Sequence, residues 1–566
     1  MIKKNFLDIK SYTPLQNIAI PEANTVKKRA LRRLQQFQKD LYEKAFLQAS
    51  NHPLIDAPTV IKYSEHFYDS LPKTFKKTDI NRILKDLDRS DFLLYGDFHT
   101  LKQTQKGLVR ILRDYIGHNP NRPMVLALEM FKARDQELID RYLRGDLSEE
   151  QFLQLCRYDH TWGFPWENYK IILDFALKQN IRIVGINTDV VGKDQLRTRD
   201  KFAAKILQEI HSNNEQALVV CLIGEYHLAD EHLPKHLEPE HSYTRILTNI
   251  DHYYFLTSNK IEVPNTEYLA LKSRLYCVLN SPPWIKWQSY AIWEEIKSAK
   301  GELVLDDPRA RILYTEESFD LDYQILNILS HLAEFLSINF RKNDLTRFHT
   351  YSDPSETDIF QITANFEIDE SYVETAIERL DREGFYFIPE GNIILISDVS
   401  LNNLAEISGQ LLFNLLHPIQ DDFIDADRVY HRILMTSSGV LASKVLNPRR
   451  RCLDKKQYET FMSQLSRRRL IGYQKKMRES IRMLVRLLER IEQGSRGDLH
   501  YKMIEYDLEN QMEISIRLGQ VIGYETYRKI MKTPNSSFEF ANFFQFSTTN
   551  LDPKEQYIHL IRCLFP

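Results

Sequence analysis

From residue 91 onward, short and continuously apolar runs alternate with longer segments in which apolar residues recur every three or four positions. The runs are 92–95 (FLLY), 124–128 (MVLAL), 181–186 (IRIVGI) and 217–223 (ALVVCLI). Helical spacing covers 105–115, 135–143, 149–157, 166–179 and 201–212. A strand that is apolar at every position is buried on both faces, as in a parallel sheet covered by helices. The pattern therefore predicts an α/β fold, a mostly parallel sheet flanked by helices. Residues 252–256 and 273–279 are expected to add edge strands.

Two helices are expected before this region, an amphipathic one over 25–49 and a second over 76–88. Beyond residue 308 the character changes to a large, mainly α-helical region. A long helix is expected over 321–339. Residues 357–396 read as two helical segments followed by a hairpin around 389–392. From 401 to 527 nearly everything has helical spacing, and Met477, Ile481, Leu484, Leu488 and Ile491 form one buried stripe. The expected organisation is an N-terminal helical extension (1–90), an α/β domain (91–308) and a helical domain (309–566) in which 357–396 is winged-helix-like.

Ligands of open α/β sheets bind beyond the carboxyl ends of the parallel strands. Each of the four runs delivers polar residues there. The first is followed by Gly96, Asp97 and His99, the second by Glu129, the third by Asn187, and the fourth by Gly224, Glu225 and His227. Glycine suits a sharp exit from a strand or a close backbone approach. Two imidazoles and a carboxylate at one rim can bind a transition metal, run acid–base chemistry or line a cofactor pocket. The bland alternative is that Asp97 and Glu225 cap helices and the histidines are satisfied core residues.

Composition narrows the classes. The chain has 566 residues, 43% hydrophobic and 27% charged, with a formal charge of −3. This excludes a global preference for nucleic acid or anionic lipid. Five scattered cysteines without a CxxC argue against a disulfide framework. No signal peptide and no membrane span are read, so a cytoplasmic protein is expected. Walker A, GxGxxG, GxSxG and kinase signatures are absent.

The segments GDFHT and GEYHL resemble the paired GxxH motifs of the Tiki superfamily. The intervening stretch, with its LEMF strand end, its aromatic loop and a strand ending in Asn187, resembles the ChaN-like haem-binding uptake family. The resemblance spans about a quarter of the chain, 91–237. It implies an α/β protein with haem as the ligand, since founding members are secreted haem-binding lipoproteins. Related metal-dependent proteases and erythromycin esterases use equivalent histidines and acids. Gly96, His99, Glu129, Gly224 and His227 match the motif positions. Asp97 stands where a glutamate is usual, one methylene shorter.

The aromatic loop 158–169 (YDHTWGFPWENY) suits a planar ligand such as haem, with Tyr158 or His160 as a ligand candidate. Its plainer role is a lid or packing plug. His232 and His236 have metal-ligand spacing, but placement on the surface near the pocket is expected. The second helix of 357–396 is acidic and would repel phosphates, so nucleic-acid binding is not expected there. The basic clusters 449–451 and 467–469 are expected on solvated surfaces.

Three functions are consistent with these residues. The first is a ligand-binding α/β protein taking haem or a divalent transition metal through His99, Glu129 and His227, with Gly96, Asp97, His160, Asn187, Gly224 and Glu225 around them. The second is a hydrolase using His99, Glu129 and His227, with a metal-activated water or a histidine base. The third is a scaffold whose helical half recruits a protein partner.

Overall fold

A computed structural model of the chain describes residues 26–50, 58–189, 195–257, 263–299, 321–335, 338, 348–366, 368, 371–420, 423–465, 473–494, 508–532 and 552–565. The chain forms two compact units, one of residues 1–18 and 41–304, the other of residues 19–40 and 305–566. Among the described residues, no helix is long and apolar enough to cross a membrane.

The first unit is built on eight strands, β1 (Lys76–Thr78), β2 (Phe92–Asp97), β3 (Met124–Lys132), β4 (Arg182–Asn187), β5 (Leu218–Gly224), β6 (Tyr243–Thr248), β7 (Glu267–Lys272) and β8 (Leu275–Leu279). They form one sheet in the order β1-β7-β8-β6-β2-β5-β3-β4. All neighbouring pairs from β8 to β4 are parallel, and β7 runs antiparallel to both β8 and β1. Strands β2 and β5 are buried at every residue, as their unbroken apolar runs require.

The helices of this unit include α2 (Pro58–Ser70), α3 (Ile80–Leu87), α4 (Lys102–His118), α5 (Gln136–Leu143), α6 (Glu149–Leu155), α7 (Tyr158–Thr161), α8 (Trp166–Gln179), α9 (Gln195–Asn213), α10 (Asp251–Thr257) and α11 (Pro283–Ala299), while α1 (Val26–Ser50) belongs to the second unit up to residue 40 and to the first from residue 41. Leu93, Tyr95, Leu126, Leu128, Val220 and Leu222 of the sheet share one core with Leu108, Leu112 and Tyr115 of α4 and Ile172, Leu173 and Ala176 of α8.

Four expectations change. Residues 275–279 form the expected strand, β8, but it lies inside the sheet between β7 and β6 and not at an edge, because the unforeseen strand β7 pairs on its outer side. Residues 252–256 are not an edge strand but lie in α10. There Tyr253, Tyr254 and Phe255 are buried together while Leu256 is exposed, a distribution that strand alternation cannot give. The helix expected over 76–88 starts only at Ile80. Residues 76–78 pair with β7 instead, and the Asp79 side chain accepts the Arg82 N–H as the helix cap. Strand β3 runs past Leu128 to Lys132, with a register shift against β4 between those residues. Gly185 of β4 makes room for this irregularity, because a Cβ there would stand 2.6 Å from the Lys132 carbonyl oxygen. Glu129 therefore lies inside β3, at the point where the strand is re-aimed.

In the second unit, strands β9 (His349–Ser352), β10 (Phe385–Ile388) and β11 (Ile393–Ile396) form a sheet ordered β10-β11-β9. Residues 356–365 and 371–383 are helical, and β10 and β11 form the expected hairpin, with Asn392 left-handed at its turn. Strand β9, parallel to β11, is not legible in the sequence. Helices Leu401–Leu416, Asp425–Leu446 and Leu508–Lys532 cross at glycines. A Cβ on Gly409 would be 2.6 Å from the Ala442 Cβ, and one on Gly523 would be 2.5 Å from the Ser437 carbonyl oxygen. Of the basic clusters, Arg449 is buried rather than solvated, and Arg450 pairs with the buried Glu406. A guanidinium drawn into a helical core needs such a carboxylate. Residues 467–469 lie outside the described residues.

Candidate functional site

The two GxxH segments meet because β2 and β5 are parallel neighbours. Asp97 stands opposite Gly224 in the register. A Cβ placed on Gly224 would lie 3.4 Å from Cδ2 of His227 and 3.4 Å from both Cε1 and Nε2 of His99. Both imidazoles thus stand in van der Waals contact with one point at the carboxyl rim. Glu129 joins them from β3. Its Oε2 accepts the Gly224 N–H at 2.8 Å, and its Oε1 is 3.6 Å from His227 Nε2.

Each imidazole is backed by an aspartate on Nδ1. His99 Nδ1 is 2.9 Å from Asp97 Oδ2. Asp97 also accepts from the Tyr169 hydroxyl at 2.7 Å and from Gln105 Nε2 at 2.6 Å. His227 Nδ1 is 2.5 Å from Oδ1 of Asp200, whose Oδ2 accepts the Tyr63 hydroxyl at 2.9 Å. These contacts fix the ring orientations and turn the Nε2 edge of His99 to Gly224 and that of His227 to Glu129.

Burial opposes charge on His99, yet the hydrogen bond and charge of Asp97 and the charge of Glu129 prevail and raise its pKa. His227 follows the same balance, with burial overcome by Asp200 and then Glu129. Burial favours the neutral form of Glu129, but the two imidazoles and the Gly224 N–H hold its pKa below the ordinary value. The three groups form one coupled charge cluster.

The other expected residues separate into two sets. Gly96 lies beneath the site, where a Cβ would be 3.3 Å from the Glu225 Cβ. Asn187 is buried at the end of β4 and accepts the Thr188 N–H. Glu225 points into a buried ion pair, its Oε1 3.0 Å from Lys286 Nζ, and burial raises its pKa against that pairing. His160 is exposed on α7, and Tyr158 is buried. The aromatic loop does cover His99, with the Trp162 ring at 4.7 Å and the Phe164 ring at 4.6 Å. His232 is buried rather than on the surface. Tyr63 stacks on it at 3.7 Å, and its ring nitrogens contact the Tyr226 carbonyl and His66.

Sequence reasoning missed Asp200, Tyr63, Tyr169, Gln105 and Lys286. Tyr169 carried a signal as the last residue of the aromatic loop 158–169, and Lys286 as a lone cation between Trp284 and Trp287 in an aromatic stretch.

Residues 83–198 match the family model described as haem-binding uptake, Tiki superfamily, ChaN. The expected resemblance is shown over that stretch, which includes Asp97, His99 and Glu129 and ends before Gly224 and His227. No curated protein matches the chain. Among solved structures, it is similar to one of cofacial haem binding to ChaN of Campylobacter jejuni. The two are 16% identical over 31% of this chain and 92% of that one, with a TM-score of 0.23. It is also similar to the type III effector HopBA1, 11% identical over 37% of this chain and 96% of that one, with a TM-score of 0.27.

Proposed function

We propose that the first unit is a ligand-binding α/β domain of the ChaN type, taking haem at the carboxyl rim around Gly224. The observation that carries this reading is the meeting of His99 and His227 at one point, with Glu129 bonded to the glycine between them. The residues fit such a ligand. Haem would supply an iron that accepts a nitrogen donor. The Nε2 of His99 is the donor best suited, since Asp97 occupies Nδ1 and Trp162 and Phe164 offer flat apolar walls beside it. A small transition ion finds the right donor types in His99, Glu129 and His227, with Asp97 and Asp200 behind the imidazoles. Those donors are less tightly gathered, because the three-donor cluster closing within 4.8 Å among the described residues is elsewhere.

Haemin added to the purified chain should give a shifted Soret band that is lost in His99→Ala. A spectrum identical to free haemin refutes the reading.

A hydrolytic reading has one observation in its favour. Each imidazole has an aspartate on Nδ1, the arrangement that holds a histidine in the tautomer a general base needs. It requires ester or peptide hydrolysis that collapses in His99→Ala and in His227→Ala. Undiminished hydrolysis in both variants removes it.

A further inference from the structure

The opposite, amino end of the sheet carries a second group of ligating side chains. Asp91 immediately precedes β2, His211 lies in the last turn of α9, and His241 lies just before β6. One donor atom from each falls within 4.8 Å of the others. His211 Nε2 is 3.8 Å from Asp91 Oδ1, and His241 Nδ1 is 3.9 Å from Asp91 Oδ2.

These separations are too long for hydrogen bonds. They run to the two different oxygens of Asp91, and an ion bound at roughly 2.0–2.2 Å would draw one oxygen and the two nitrogens together to a spacing of about 3.4 Å. The Nδ1 of His211 is buried with no hydrogen-bond partner among the described residues, so no bond fixes that ring from behind.

Asp91 is held in place by Ser242. The Asp91 Oδ2 accepts the Ser242 N–H at 2.7 Å and the Ser242 hydroxyl at 3.1 Å, which leaves Oδ1 towards His211. The far nitrogen of His241, Nε2, is 3.8 Å from the Glu238 carboxylate. That is too long for a hydrogen bond, so Glu238 is not part of the proposed site. Both rings are held edge-to-face on Phe92, at 5.5 and 5.2 Å. Phe92 packs against both rings, and Asp91 is partly exposed.

We infer that Asp91, His211 and His241 bind a divalent transition ion of the zinc or cobalt class, distinct from any ligand at the carboxyl rim. Two imidazoles and one carboxylate select such an ion over magnesium or calcium. The ion ties the end of α9 to the start of β2. These same elements carry Asp200 and Asp97 at the other end of the sheet, so the metal steadies the scaffold of the haem-type site without entering it.

The test is equilibrium dialysis of the full chain, stripped with chelator, against cobalt chloride alone. Bound metal is counted in the unmodified chain, in His241→Gln and in Glu238→Gln. Glu238 is an exposed position whose replacement leaves the core untouched. The expected result is one equivalent fewer in His241→Gln, and the full number at unchanged affinity in Glu238→Gln, which removes a nearby exposed charge but no ligand. Cobalt binding of equal number and affinity in all three chains overturns the proposal. So does the loss of the same equivalent on His99→Gln instead of His241→Gln.

Discussion

Replacing Asp200 tests the electrostatics of the site most sharply. Its carboxylate is wholly buried and serves two partners, the His227 imidazole and the Tyr63 hydroxyl. Asp200→Asn keeps the shape. The amide oxygen can accept from His227 and the amide nitrogen can donate to the tyrosine oxygen, so the bonds survive and only the charge is lost. A hydrogen bond to a charged group contributes about 1.5–3 kcal/mol and a neutral one about 0.5–1.5, so the expected cost is about 1–2 kcal/mol. Asp200→Ala leaves both partners unpaired and should cost about 3–5 kcal/mol, the range for breaking a buried pair. The assay is denaturant unfolding followed by tryptophan fluorescence. All five tryptophans (Trp162, Trp166, Trp284, Trp287 and Trp293) belong to the first unit, so the signal reports that unit alone. Both variants within about 0.5 kcal/mol of the unmodified chain, the range of ordinary surface changes, would refute the reasoning.

Gly224→Ala should fold normally, since its φ of −47° is open to any L-residue and its nearest neighbours stand at an ordinary 3.4 Å. The added methyl fills the point between the imidazoles, so haemin affinity should fall at least tenfold at unchanged unfolding midpoint. The site should also give the first unit a pH dependence. His99 and His227 have raised folded pKa values, so their contribution is complete below the ordinary value of 6.5 and declines as pH rises through the folded values. Glu129, lowered, contributes above its ordinary 4.5 and loses that contribution as pH falls. The tryptophan-detected midpoint difference between about pH 5.5 and about pH 8.5 should therefore shrink in His227→Gln. In the second unit, Gly439→Ala should cost about 1–3 kcal/mol by overpacking, measured by circular dichroism, because its Cβ would stand 2.7 Å from the Glu406 carbonyl oxygen.

The sheet and its functional rim are legible because parallel strands announce themselves as unbroken apolar runs, and the residues after each run lie at one edge. That logic locates Gly96, His99, Glu129, Gly224 and His227. It cannot find Asp200, Tyr63 or Gln105. These sit on helices, and which helical residue faces the rim depends on packing angles that spacing does not encode. Residues 252–256 mislead for a related reason, since four apolar residues after His252 suit a short strand or a buried helical turn equally well. His232 reads as a surface residue only because nothing in the sequence foretells that Tyr63 of α2 stacks on it. Lys286 is a converse case. A cation amid tryptophans signals burial, but its partner Glu225 reads from the sequence as part of the ligand site.

The central claim is that His99 and His227 act on one bound ligand. Haemin titrations of the unmodified chain, His99→Ala, His227→Ala and the double variant measure this as a coupling energy. A shared site predicts strong non-additivity, with the double variant binding little worse than the weaker single variant. Additive losses, or an affinity untouched by either substitution, would contradict the account.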